Sequence, residues 1–179
     1  HTTHTWKRAS VGSGARTGST CSSDVTAPLS PQRSAGWNTA WVTTIGDVLD
    51  TLERAYPAAL AESWDTGIGL TCGDPGDPVT GVLLAVDVDA VTVAETAAAG
   101  AQLLVTHHPL LFRAVQSVAA DTAKGSLVHL LIRSGLAHVA AHTNADTAVG
   151  GVNDALAGRL GLGGTRPLVP HPDGVTGSG

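Results

Sequence analysis

The chain has 179 residues, with 15 acidic against 10 basic side chains and a formal net charge of −5, and this length suits one domain with a buried core. The acidic balance provides no broad positive face for a phosphate backbone, so there is no strong nucleic-acid signal. No apolar run is long enough to cross a bilayer and the first residues lack a secretory signal, so we expect a cytoplasmic protein that does not enter the membrane.

Residues 1–41 are rich in Ser, Thr, Gly and Pro, and their isolated apolar residues follow neither a strand period nor a helix period. Such a segment cannot bury enough apolar surface to offset its chain entropy, so we predict a disordered extension. The segment has several basic residues and a single acidic one, a composition that also occurs in organelle transit peptides. A transit peptide is the weaker of the two interpretations.

The periodic part of the chain begins with apolar residues at helical spacing. They stand behind Thr44, a suitable N-cap, and Pro57 ends the predicted helix. A short apolar stretch at 68–72 follows a loop around Trp64 and Asp65. The turn-rich run GDPGDP then separates this stretch from the next element.

A buried β-α-β unit follows this turn. The continuous apolar run at 81–86 predicts a strand covered on both faces, residues 90–99 are helix formers, and 102–106 reads as a second buried strand. Gly100 is a natural residue to end the helix. Such a unit implies a right-handed crossover in a largely parallel sheet.

The same cycle then repeats. We predict a helix at 122–133 with its Leu, Val and Ile side chains inward, a strand at 136–141, a loop at 142–150 and a further helix at 152–160. The sequence therefore predicts a three-layer α/β domain over residues 42–165, with a largely parallel or mixed sheet. Residues 166–179, rich in Gly and Pro, are expected to be an unstructured end.

Polar residues collect directly after the predicted strands. Asp87 and Asp89 follow the first strand, and the run THHP brings His107 and His108 after the second; the run HTNAD, His142 to Asp146, follows the third. Ligands of open α/β sheets bind outside the carboxyl ends of the strands, so we expect one shared rim. Imidazoles with a carboxylate suit zinc, iron, manganese or cobalt, without selecting among them.

Each motif also has a purely structural interpretation. A lone HH pair is more often a surface or capping feature, and in a lone HTNxD motif Asn144 or Asp146 can simply bond the backbone of a turn. Their joint occurrence after consecutive strands favours a metal site. His129 and His138 are predicted to be structural, and His171 has no predicted role.

Five stretches carry a family resemblance. SWDTGIGLTCGDP, AVDVD, LLVTHHPLLF, KGSLVHLLIRSG and AHTNADTAVGGVNDALAGRLGL occur in this order. Together they resemble the N-terminal half of the type 2 GTP cyclohydrolase I homologues, also called the NIF-three-like family, over about residues 43–162. The resemblance implies that the domain is the first lobe of a two-lobed α/β fold. It also implies a homohexamer with two divalent metal ions between the lobes.

The resemblance carries a ligand set over to this sequence. It implies that His107, His108 and Asp146 bind the metal ions. In the functional hypothesis that follows, we expect His142 to be a neighbouring or proton-transfer group, with Asp87 as a weaker candidate. The family's remaining ligands belong to an HxxxE motif, which this sequence does not contain. We therefore expect the site in this chain to be incomplete. The chain is then expected to bind divalent metal weakly and not to turn over GTP.

The implied function is a metal-dependent hydrolase of a small, nucleotide-like substrate, with GTP as the substrate that the family name suggests. Two alternatives stay open. The same ions would serve a phosphodiesterase or phosphatase. A non-enzymatic metal-binding or scaffold protein is the alternative from another class.

Overall fold

Residues 9–10 and 42–178 are described in a computed structural model of the chain. The predicted disordered extension at 1–41 lies outside the described residues, apart from a two-residue strand, β1 (Ala9–Ser10). β1 pairs antiparallel with the third strand of the sheet.

A five-stranded mixed sheet occupies the centre of the domain, in the order β1-β3-β4-β5-β2. Its longer strands are β2 (Gly69–Cys72), β3 (Gly81–Ala85), β4 (Leu103–Thr106) and β5 (Ala137–Ala140). Strands β3, β4 and β5 run parallel, whereas β1 and β2 pair antiparallel at the two edges. The predicted α/β class with a mixed sheet is confirmed.

The helices are α1 (Ile45–Ala55), α2 (Ala90–Ala98), α3 (Ala123–Arg133), α4 (Thr143–Thr147) and α5 (Val152–Arg159). Local signals place their ends. Thr44 and Asp47 form a reciprocal capping box at the start of α1, and Gly100 follows α2 with a φ of 66°. The loop predicted at 142–150 was wrong in part, because α4 occupies its middle.

Two apolar clusters lie on opposite faces of the sheet. Val93 of α2 and Leu131 of α3 belong to one cluster with Leu104 of β4. Ile45 of α1 belongs to the other, with Val105 of the same strand. Because successive residues of β4 point to opposite faces, this single strand contributes to both clusters. The predicted three layers are therefore present.

Two expectations about burial were wrong. Strand β3 is not covered on both faces, because Leu84 is exposed at 51% and does not belong to the apolar cluster that contains α1. In α3, Val128 and Leu131 are buried, while Leu130 and Ile132 point toward solvent. A helix turns about 100° per residue, so it cannot direct a run of adjacent side chains to one face.

Asp89 is a helix cap rather than a rim residue. Its carboxylate accepts hydrogen bonds from the backbone N–H groups of Val91 and Thr92 at the start of α2, at 2.9 and 2.8 Å. These bonds satisfy donors that a helix start otherwise leaves unpaired. Asp89 therefore drops out of the candidate site residues.

The segment expected to be an unstructured end contains a small hairpin. Strands β6 (Val169–Pro170) and β7 (Gly177–Ser178) pair antiparallel. The Asp173 carboxylate accepts bonds from the backbone N–H groups of Val175 and Thr176, at 2.9 Å each, which stabilises the turn between the strands. Within the described part of the chain, no helix has the length and apolarity needed to span a membrane.

Candidate metal centre

The register of the parallel strands brings three loops to one rim. Ala85, Thr106 and Ala140, the last residues of β3, β4 and β5, are aligned across the sheet. Backbone bonds continue past the strand ends, with His107 N–H donating to the Ala85 carbonyl at 3.2 Å and Ala141 N–H to the Thr106 carbonyl at 2.9 Å. The residues that follow these strands are therefore held side by side.

Three imidazoles converge at this rim and form what we call the histidine cluster: His107, His108 and His142. One ring nitrogen of each lies within 4.8 Å of the others. The ring centroid of His107 lies 5.1 Å from those of both His108 and His142. This spacing makes the three imidazoles a candidate metal-binding group.

Two of the rings are fixed through their Nδ1 atoms. His107 Nδ1 lies 3.1 Å from the Ala141 carbonyl oxygen, and His108 Nδ1 lies 2.7 Å from Asp87 Oδ1. Because these acceptors have no proton to give, each Nδ1 carries the proton and donates it. The Nε2 lone pairs are thereby left for a ligand, as in metal-binding histidines.

His142 is held by a buried carboxylate. Its Nδ1 lies 2.9 Å from Asp65 Oδ2, which also accepts from the Thr143 hydroxyl at 2.6 Å and the Thr143 N–H at 3.2 Å. Burial by itself raises the pKa of Asp65, but the bonds from Thr143, the Gly67 N–H and His142 outweigh burial and lower it overall. Asp65 is therefore an ionised anchor for His142.

Asp146 lies at the edge of the cluster. It follows His142 by one turn of α4, and its Oδ1 is 3.7 Å from His107 Nε2. This separation is longer than a hydrogen bond but leaves room for a cation between the two atoms. Asp146 is therefore placed beside His107, while its role as a metal ligand stays a prediction.

The residues predicted for the rim thus occur together: His107, His108, His142 and Asp146. Asp87, a weaker candidate, contacts His108 as a hydrogen-bond acceptor. Asp65 was missed as a partner of His142, because the two residues are 77 positions apart and no spacing pattern connects them. Its place in the stretch SWDTGIGLTCGDP was the only available signal.

A buried histidine supports the backbone of the cluster from inside the sheet. His138 Nε2 lies 2.9 Å from the Thr106 hydroxyl, which donates in turn to the His108 carbonyl at 2.7 Å. Burial, with a smaller effect of the Lys124 charge, lowers the pKa of His138 to about 4. His138 is a neutral core residue, which agrees with its predicted structural role.

A groove of about 340 Å³ lies between α5 and the C-terminal hairpin. Asp146 is the one member of the rim that lines it, together with residues such as Leu156, Arg166 and Thr176. The histidine cluster lies outside this groove, so the groove and the cluster are separate features that meet at Asp146.

Residues 43–179 match the family model described as Duf34/NIF3 (NGG1p interacting factor 3). The chain belongs to this family. It is 52% identical over 128 residues to a protein of Mycobacterium tuberculosis and to one of Streptomyces coelicolor, each named GTP cyclohydrolase 1 type 2 homolog. The match covers 72% of this chain in both cases, but 33% of the mycobacterial protein and 45% of the Streptomyces protein.

Solved structures show the same relationship. A Bacillus cereus protein related to NIF3 is similar with a TM-score of 0.68 and 39% identity, over 73% of this chain and 35% of the other. HcgD from Methanocaldococcus jannaschii, in its reduced form, is similar with a TM-score of 0.61 and 27% identity, over 73% and 51%. The resemblance found in the sequence is confirmed, and the chain spans less than half the length of the curated relatives that it matches.

Proposed function

We propose that the chain supplies the metal-binding lobe of a divalent-metal-dependent hydrolase that acts on a small, nucleotide-like substrate. The observation that carries the proposal is the histidine cluster, in which every Nδ1 is hydrogen-bonded to an oxygen atom. This arrangement fixes tautomer and ring orientation, which is how proteins prepare imidazoles to bind metals. The name of the two relatives, GTP cyclohydrolase 1 type 2 homolog, supports a nucleotide as substrate.

The donor set fits divalent transition metals. We assign His107, His108 and Asp146 as ligands, since two imidazoles and a carboxylate suit zinc, iron, manganese or cobalt. Asp87 and the Ala141 carbonyl orient the two ligand rings. A second ion needs further donors, and the HxxxE motif that would supply them does not occur in this sequence.

His142 has the surroundings of a proton-transfer group. The buried carboxylate of Asp65 holds its Nδ1 proton, so Nε2 is free to accept a proton at the centre of the cluster. A carboxylate behind an imidazole plays the same orienting part in hydrolytic triads. We assign His142 this role, with Asp65 as its positioning residue.

Charge at the rim bears on how a substrate binds. Asp65, Asp87 and Asp146 lie at or beside the cluster and carry negative charge, so an anionic substrate is repelled by the metal-free rim. A bound divalent ion would offset most of this charge and would supply Lewis acidity and a coordinated water of lowered pKa for hydrolysis. We therefore expect phosphate-containing ligands to bind only with metal.

Metal titration tests the ligand assignment. Calorimetric titration of the chain with Mn²⁺ is expected to show weak binding, about tenfold or more weaker in His108→Ala and in Asp146→Ala. His129→Ala, a histidine of α3 away from the rim, serves as the matched control and should bind like wild type. His142→Ala should also retain the metal, because we assign His142 to proton transfer. Unchanged binding in His108→Ala would contradict the proposal.

The hydrolytic step is tested in a longer relative. The full-length Streptomyces coelicolor protein, loaded with Mn²⁺, is assayed with GTP and with p-nitrophenyl phosphate. Loss of turnover on replacing the residue aligned with His142, with metal content unchanged, is the expected result. A metal-loaded protein that hydrolyses neither probe would favour the scaffold alternative over the enzyme.

A further inference from the structure

Two aromatic side chains stand beside the histidine cluster and expose much of their surface. The ring centroids of Trp64 and Phe112 are 6.0 Å apart at 64°, and the His142 ring lies 6.5 Å from Trp64 and 6.0 Å from Phe112. Trp64 is 58% exposed and Phe112 is 39% exposed. We call these two residues the aromatic wall. Large exposed rings next to a polar cluster are typical of binding sites.

The position of Trp64 is coupled to that of the cluster. Asp65, the next residue, is buried, and its carboxylate holds the His142 ring at 2.9 Å. Its backbone N–H also donates to the Glu62 carbonyl at 2.8 Å, which closes the turn that carries Trp64. One buried residue therefore holds the imidazole and closes the turn that carries Trp64, which places the aromatic wall beside the rim.

Close packing joins the two loops that carry the wall. A Cβ placed on Gly67 would lie 2.8 Å from Pro109 Cβ and 3.2 Å from Phe112 Cα. Only glycine permits this approach, because real Cβ atoms do not come within 3.0 Å of such neighbours. Leu110, fully buried, anchors the second loop in the core. The loops that carry the two rings are thus held close together.

We propose that the aromatic wall stacks the planar heteroaromatic ring of the substrate, with the ring on Trp64 and the anionic group of the same molecule at the histidine cluster. This inference rests on the proposed function, which names no residue that binds the base. It assigns that role to the aromatic wall. Stacking suits any base, since every base has a π-face, and a tryptophan with two rotatable bonds loses little entropy on binding. The substrate class is then a nucleotide recognised through its base.

The groove beside α5 fits this part of the substrate less well. It is lined by aliphatic and polar residues, including Leu156 and Arg166, and touches the rim only at Asp146. The aromatic wall, in contrast, contacts His142 directly through both of its rings. The wall is therefore closer to the histidine cluster than the groove is, and it offers the aromatic surface that the groove lacks.

Two pairs of probes test the proposal on this chain. Guanosine is compared with ribose without metal, and guanosine 5′-monophosphate with ribose 5-phosphate in the presence of Mn²⁺, with affinities from calorimetry. Each ring-containing probe should bind about tenfold or more tighter than its ring-free partner. The first pair needs no metal, so a failure of metal binding is distinguishable from a failure of the wall.

Variants assign the preference to the wall. Trp64→Leu should reduce the preference for the ring to less than about threefold and leave ribose 5-phosphate and Mn²⁺ binding unchanged, while Trp64→Phe keeps most of the preference. Phe112→Leu should have a smaller effect. Tyr56→Leu, an aromatic residue outside the wall, is the matched control, and thermal melts check that each variant folds.

Three results would overturn the proposal. Equal affinity of guanosine and ribose would show that no ring is recognised. An unchanged preference in Trp64→Leu would place the base elsewhere, for example in the groove beside α5. Self-association of the wild-type chain that Trp64→Leu abolishes would show that a second copy covers the wall.

Discussion

The rim of the sheet and the C-terminal region (residues 152–178) differ in how firmly their side chains are held. At the rim, the polar groups are fixed: His107, His108 and His142 each have an oxygen partner at Nδ1. In the C-terminal region, α5 has no buried residue, and apolar side chains such as Leu156 and Leu168 are exposed. Side chains are therefore held in fixed positions where loops emerge directly from buried strands.

The difference shows where the domain's stability lies. Strands β4 and β5 are buried at every position, so the first residues of the loops that follow them are firmly anchored. The helix α5 and the hairpin follow the last strand of the main sheet and add little to either apolar cluster. We therefore expect substitutions near the rim to cost much more stability than comparable ones in the C-terminal region.

The sharpest test of this contrast is Asp65→Ala. The substitution leaves the Thr143 hydroxyl and N–H and the His142 Nδ1–H without an acceptor at a buried position. We expect a loss of about 3 to 5 kcal/mol in the free energy of unfolding, since each unpaired buried donor costs about 1 to 3 kcal/mol. Urea denaturation provides the measurement. Asp50→Ala, an exposed acid of α1, is the control and should change stability by less than about 0.5 kcal/mol.

A second test uses pH and the buried His138. Its pKa is lowered from 6.5 to about 4, mainly by burial, so the folded chain keeps it neutral where the unfolded chain already binds a proton. Stability from this group is therefore complete above about pH 6.5 and falls as the pH drops toward about 4, by on the order of 3 kcal/mol. Asp65 acts in a lower window, because its lowered pKa makes its contribution disappear only below about pH 3.8.

Comparison of variants isolates this effect. Denaturation midpoints are measured between pH 7 and pH 4.5 for wild type, His138→Gln and His129→Gln. The glutamine amide can still donate to Thr106, so His138→Gln should fold and show a shallower loss of stability on acidification. The control at His129 should follow wild type. Equal slopes in wild type and His138→Gln would mean that His138 does not control acid sensitivity.

Much of the fold was predictable because its signals are local. Continuous apolar runs mark β3 and β4, and Thr44 marks the start of α1. The hairpin β6–β7 was not predictable in this way, because the pairing of its two-residue strands depends on a turn held by Asp173. A polar, glycine-rich composition does not reveal such a turn.

The same division applies to the candidate site. His107, His108 and His142 were predictable because each follows a buried strand, and parallel strands end at one edge. Asp65 and the aromatic wall were not, because they come from irregular loops whose position depends on tertiary packing. Gly67 illustrates this, since the close approach that it permits involves residues more than 40 positions away in sequence.

The smallest expected effect is that of Leu156→Ala in α5, and it tests the C-terminal side of the comparison. Leu156 is 56% exposed, so its truncation should cost less than about 1 kcal/mol, whereas Leu131→Ala in α3, at a fully buried position, should cost about 2 to 5 kcal/mol. Both substitutions place alanine in a helix, so the difference reports packing. Urea denaturation at two protein concentrations extends the test to the homo-oligomer that the family resemblance predicts. A loss of stability in Leu156→Ala as large as that in Leu131→Ala, and larger at the higher protein concentration, would show that α5 is buried between copies of the chain. The contrast between the two regions would then hold only for the isolated chain.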